Sequence, residues 1–80
     1  MSATEWWVMR VVVSKDGIVE PHIAKEIERG NLQVINGEVC EPIEWYSDQL
    51  DAMDRAIREQ LKTGLHYKVT MNADLADLSS

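Results

Sequence analysis

The stretch Leu32-Gln33-Val34-Ile35-Asn36-Gly37-Glu38-Val39-Cys40-Glu41 decides the fold. Asn-Gly is the preferred pair for a two-residue type I′ loop, because both central residues must take positive φ. A hairpin closed there sets Val34 opposite Val39 and Leu32 opposite Glu41. Leu32, Val34 and Val39 then share one face, expected to be the core face. Gln33, Ile35, Glu38 and Cys40 point the other way.

Upstream, Glu5 to Ser14 is rich in β-branched and aromatic residues, the types that suit a pleated surface. Trp7, Met9, Val11 and Val13 form a wholly apolar face and are expected to lie in the core. Trp6, Val8, Arg10 and Val12 form the second face, greasy but charged. Ser14-Lys15-Asp16-Gly17 reads as a turn with Gly17 at positive φ. Glu20 to Gly30 reads as a short helix, with Pro21 at its first position and Gly30 as its stop. Its alternative is a hairpin through Asp16-Gly17 with Ile18 and Val19 as a return strand.

Downstream, Ile43 to Tyr46 is expected to be extended, the alternative being a helix that begins at Pro42, since Ile43 and Tyr46 continue the apolar stripe of the helix that follows. Ser47 then caps the clearest helix, in which Leu50, Met53, Ile57 and Leu61 recur at spacings of three, four and four. That stripe is expected to face the core. Asp48 and Asp51 suit the positive end of the helix dipole, Arg58 and Lys62 suit the other end, and Gly64 is the natural stop. From Leu65 to Met71 the chain alternates, with Leu65, Tyr67, Val69 and Met71 inward and His66, Lys68 and Thr70 outward. Residues 72–80 are polar and acidic and are expected to fray, although Leu75 and Leu78 suit a last turn.

The order strand, helix, strand, strand, helix, strand resembles the ferredoxin-like split βαβ pattern, βαββαβ. It predicts an α/β (α+β) domain over residues 1–80. Two helices would cover one face of a four-stranded antiparallel sheet. The other face would be open and would show Trp6, Val8, Val12 and Ile35 beside Arg10, His66 and Lys68.

Eighty residues make one small domain with little volume to spare for a deep substrate pocket. No apolar run approaches the ~20 residues of a membrane span. The opening Met1-Ser2-Ala3-Thr4-Glu5 lacks the basic and apolar regions of a secretory signal. A lone Cys40 makes no internal disulfide, so a reducing, cytoplasmic setting is expected. His22, Cys40 and His66 lack the paired spacing of metal ligands, so no metal or other cofactor is expected. Cys40 in a hairpin has no helix N-terminus to activate its thiol, and no other catalytic motif stands out, so the chain reads as a non-enzyme.

Fourteen acids against eight bases give a formal charge of −6, which disfavours direct nucleic-acid binding. Between Arg29 and Arg55 there is no Lys or Arg, while Glu38, Glu41, Glu44, Asp48, Asp51 and Asp54 follow one another through that interval. One meaning is a solvated face kept for solubility. The other is a docking surface for a basic groove, its carboxylates standing in for phosphates. Trp45, inside the run, would add buried contact, as Trp often does at binding hot spots.

Size, acidity, the missing catalytic motif, and a hairpin followed by a helix opening at Ser47-Asp48-Gln49-Leu50 resemble the phage-encoded anti-CRISPR proteins. The resemblance is one of whole-chain profile. It implies a stoichiometric inhibitor, in the host cytoplasm, of a defence complex such as a type I CRISPR surveillance complex. DNA recognition or nuclease recruitment would be blocked. The expected site is Glu38, Glu41, Glu44, Trp45, Asp48, Asp51 and Asp54, and the expected state is monomer or homodimer. The alternatives are a homodimeric structural or regulatory subunit joined through the open sheet face, and an antitoxin or immunity protein against a basic nuclease.

Overall fold

The computed structural model describes residues 4–72. The chain is α+β, and its elements are β1 (Trp6–Val13), α1 (Pro21–Glu28), β2 (Gln33–Ile35), β3 (Glu38–Tyr46), α2 (Gln49–Thr63) and β4 (Tyr67–Met71). The four strands make one sheet in the order β2-β3-β1-β4, and every neighbouring pair is antiparallel. Residues 73–80, and with them the expected turn at Leu75 and Leu78, lie outside the described residues. Asn72 N–H still donates to Glu5 C=O at 2.9 Å, so the pairing of β4 with β1 runs to that point.

The hairpin forms as expected. Asn36 and Gly37 have φ of 50° and 81°, the left-handed pair a type I′ turn needs, and Val34 sits opposite Val39. β2 is only three residues long, so Leu32 falls outside it. β3 continues straight into the extended Ile43 to Tyr46 segment. Pro42, which has no N–H to give a ladder, lies at a register shift between β3 and β1 and beyond the last residue paired with β2. α1 starts at Pro21, and Gly30 beyond its end has φ 84°. The hairpin alternative is absent, since residues 18–20 are irregular.

Met9 is fully buried as expected, but so is Val8 of the face expected to be open, and it is that face which receives α2. Val8 packs with Ala52, Ala56 and Tyr67, flanked by Trp6, Ile43, Tyr46 and Val69, so α2 covers the Trp6 and Val8 face. Met9, Ile35 and Cys40 form a second cluster on the other side, flanked by Trp7 and Val11. Both faces of β1 are apolar, so alternation alone does not tell which one receives a helix. In the hairpin, Leu32 and Val39 are buried as expected, but Val34 is exposed, and Ile35 and Cys40, expected to point away from the core, are buried with Met9. Leu65, expected inside, is exposed and precedes β4, whereas Tyr67 and Val69 face α2 as expected.

α1 is the second departure. Its Ile23 and Ile27 are only half-buried and none of its residues is buried, so α2 covers the sheet far more closely than α1 does. Gly17 is the third. It does not take positive φ; a Cβ there would stand 2.7 Å from Val13 Cγ1, so the turn needs glycine for space. The result is a flat body, 35 × 34 × 18 Å.

Candidate functional site

α2 turns its apolar stripe outward. Leu50 is 72% exposed and Leu61 83%, and Met53 and Ile57 are also exposed, while Ala52 and Ala56 lie against the sheet. The residues that meet β1 and β4 are therefore the two small ones, which let the helix sit close. Polar contacts fix this rotation. Arg55 Nη1 donates to Glu44 Oε2 and to the Tyr46 hydroxyl, each at 3.1 Å. Tyr67 N–H donates to Gln60 Oε1 at 3.1 Å, and the Thr63 and Tyr67 hydroxyls meet at 3.3 Å. Rolling α2 to bury Leu50 and Leu61 would break all four.

The cap of α2 is one residue later than expected. Asp48, not Ser47, is the N-cap, and its Oδ1 accepts from Leu50 N–H at 2.8 Å. Gly64 ends the helix with φ 75°, its N–H donating to Gln60 C=O. Between α2 and β4 runs an open groove of about 360 Å³, lined by Met53, Ile57, Gln60, Tyr67 and Val69 among others. The exposed stripe forms one wall of it.

The acidic run does not become one patch. Glu44 bonds Arg55 on the α2 side of the sheet, whereas Glu38 bonds Lys68 Nζ at 2.8 Å, and Lys68 pairs in register with Met9 of the opposite face. Most of the run is also neutralised. Glu41 meets Arg10 at 3.0 Å, Glu44 meets Arg55 at 3.1 Å and Asp54 meets Arg58 at 2.8 Å. The bases missing from the local sequence arrive from β1, β4 and the later turns of α2, from Arg55 onward. Asp48 and Asp51 alone among the six have no cationic partner among the described residues. Trp45 is about half exposed, opposite Trp7 at the end of β3. Sequence reasoning missed Leu50, Met53, Ile57 and Leu61 as a surface; their spacing was visible, but their direction was not.

The Lys68 hydrogen bond holds the Glu38 carboxyl below the usual carboxylate range, against a smaller desolvation effect. Burial pushes the Cys40 thiol up, so it stays neutral and buried, its Sγ 3.8 Å from Glu38 C=O. Cys40 is thus a core side chain. Among the described residues, no three His, Cys, Asp or Glu gather so as to hold a metal ion, and no helix is long and apolar enough to cross a membrane. No protein-family model, curated protein or solved structure matches the chain.

Proposed function

We propose that this protein is a non-catalytic association module that works by laying the outer face of α2 against a partner chain. The observation that carries this reading is the exposure of Leu50, Met53, Ile57 and Leu61 on a helix whose rotation is fixed by Arg55, Gln60 and Thr63. Four such side chains leave on the order of 400 Å² of contiguous apolar surface in water, a size that marks interaction sites. Cys40, a buried neutral thiol, fits a reducing cytoplasm. Support for a ferredoxin-like layout comes from β3 lying between β2 and β1, and β1 between β3 and β4, all antiparallel. The loosely held α1 departs from it.

The experiment is capture by the immobilised full chain from host lysate, with Ile57→Lys as the paired bait. Partners retained by the native chain and lost with Ile57→Lys, at low and high salt alike, are expected. Identical capture by both baits removes the outer face of α2 from the function.

The inhibitor of a basic, nucleic-acid-handling defence complex is the second reading. It now rests on Asp48, Asp51 and the half-exposed Trp45, since the other acids of the run are ion-paired. It predicts capture that disappears at high salt and with Asp48→Asn plus Asp51→Asn, a pair that keeps the cap while removing charge. Salt-independent capture by that variant rules the acidic reading out.

A further inference from the structure

We infer that the partner of the outer α2 face is a second copy of this chain, docked helix to helix and antiparallel about a two-fold axis. The inference rests on the association reading above and names its occupant.

The argument is the order of charges along the stripe. Leu50, Met53, Ile57 and Leu61 are spaced three, four and four. One residue further on, Asp51, Asp54, Arg58 and Lys62 repeat that spacing and so form a parallel row along one border of the stripe. All four are exposed. The row is acidic in its first half and basic in its second. A two-fold axis between antiparallel helices sets each border against the same border of the other copy, run backwards. Asp51 and Asp54 of one copy then lie beside Lys62 and Arg58 of the other, twice over. The stripe maps onto itself as well, Leu50 level with Leu61 and Met53 level with Ile57. A parallel two-fold would instead set this row against the partner's other border, Gln49, Ala52, Ala56 and Gln60, which carries no opposite charge. Self-complementarity is what an isologous interface requires, and here the apolar and charged rows both possess it.

The area agrees with a dimer of modest strength. Two stripes remove on the order of 800 Å² from water, and their charged borders carry the total past about 1,000 Å², the lower range of specific interfaces. A dissociation constant of about 1–100 μM is expected. The overall −6 charge works against association at low salt, while the local rows attract, so the pairing is steered by pattern rather than by net charge.

The test is sedimentation equilibrium of the purified full chain from about 5 to 500 μM, a span chosen around that affinity. The native chain is expected to dimerise and Ile57→Lys to remain a folded monomer. Asp51→Lys and Lys62→Asp are each expected to weaken the dimer by about tenfold or more, because each sets like charges together twice. The double variant Asp51→Lys, Lys62→Asp is expected to return to within about threefold of the native constant. These residues lie eleven apart, roughly 16 Å along one helix, so rescue must come from the other copy. The double variant carries the same helix substitutions as the single ones, so a folding defect would persist in it. A native chain that stays monomeric throughout overturns the inference, as does a dimer indifferent to the single reversals. If the monomeric chain still captures partners through Ile57, only the second copy is wrong; if a dimer forms and ignores Ile57→Lys, the docking role of α2 falls with it.

Discussion

Glu38 and Lys68 hold each other across the central strand. Lys68 sits on β4 beside Met9, and its ammonium reaches Glu38 at the start of β3, so the pair bridges three strands. Both side chains are about four-fifths covered, which sets the pair apart from the exposed Arg58 with Asp54. Because the hydrogen bond from Lys68 lowers the Glu38 pKa in the folded chain, the folded state binds fewer protons than the unfolded one around that pH. Its stabilising effect is therefore fully present above the unfolded glutamate value, about 4.3, and is lost as pH falls through the depressed value. Melting temperatures of the native chain and Glu38→Gln should differ at neutral pH and converge in strong acid, the native chain showing the steeper fall below about pH 4.3. Parallel curves for the two proteins would mean that the bond contributes nothing to folding. Glu26, lowered by its hydrogen bonds from Asn31 and Arg29, titrates in the same window in both proteins and cancels from the comparison.

At the scale of the element, α2 inverts the usual meaning of an amphipathic helix, and this can be checked by substitution. Ala52 and Ala56 touch Val8 and Tyr67, so Ala52→Leu should overpack the interface and cost about 1–3 kcal/mol. Leu61→Ala, on the exposed stripe, should change the stability of the dilute chain by no more than about 0.5 kcal/mol. Chemical denaturation at concentrations below dimerisation measures both, and the opposite ranking would show that α2 packs through its leucines. The same helix shows where sequence stopped being informative. The Asn36-Gly37 turn, the Pro21 start and the Gly64 stop were legible because each is settled by a few adjacent residues. The 3-4-4 spacing showed that one side of α2 is apolar. It carried no information on whether the matching surface belongs to this chain or another. For β1 the ambiguity was of the same kind, since Trp6 with Val8 and Trp7 with Met9 are equally fit to be covered. The spatial layout of the acidic run was hidden for a different reason: a gap in Lys and Arg along the sequence says nothing of Arg10 and Lys68, which the sheet brings alongside from other strands.

Across the whole molecule, stability is concentrated in the sheet and α2. β1 is hydrogen-bonded on both edges and holds Val8 and Met9, both fully buried, one in each core cluster. Opening β1 therefore disrupts both cores, which amounts to unfolding the protein. α1 stands at the other extreme. Eight residues are too few for a helix to persist in water on local bonds alone, and α1 buries no side chain that would compensate. Its main aids are Pro21, whose φ is preset, and the hydrogen bonds from Asn31 and Leu32 N–H to Glu26 C=O, all of them local. Ile23 borders a groove edged by Val12, Val13 and Ile18, open enough to leave Ile18 in water. The two regions should thus exchange their amide hydrogens by different routes, α1 through local opening and β1 through global unfolding. Hydrogen exchange at neutral pH should show the amides of α1 exchanging about a hundredfold or more faster than those of Val8 to Val11. Low denaturant should speed β1 while leaving α1 almost unchanged, because fraying eight exposed residues uncovers little new surface. Equal protection in both would mean that α1 is held by contacts as strong as those of α2. The body would then bury its cores beneath two helices, and the outer face of α2 would no longer stand apart as an apolar helix face that the described residues leave uncovered.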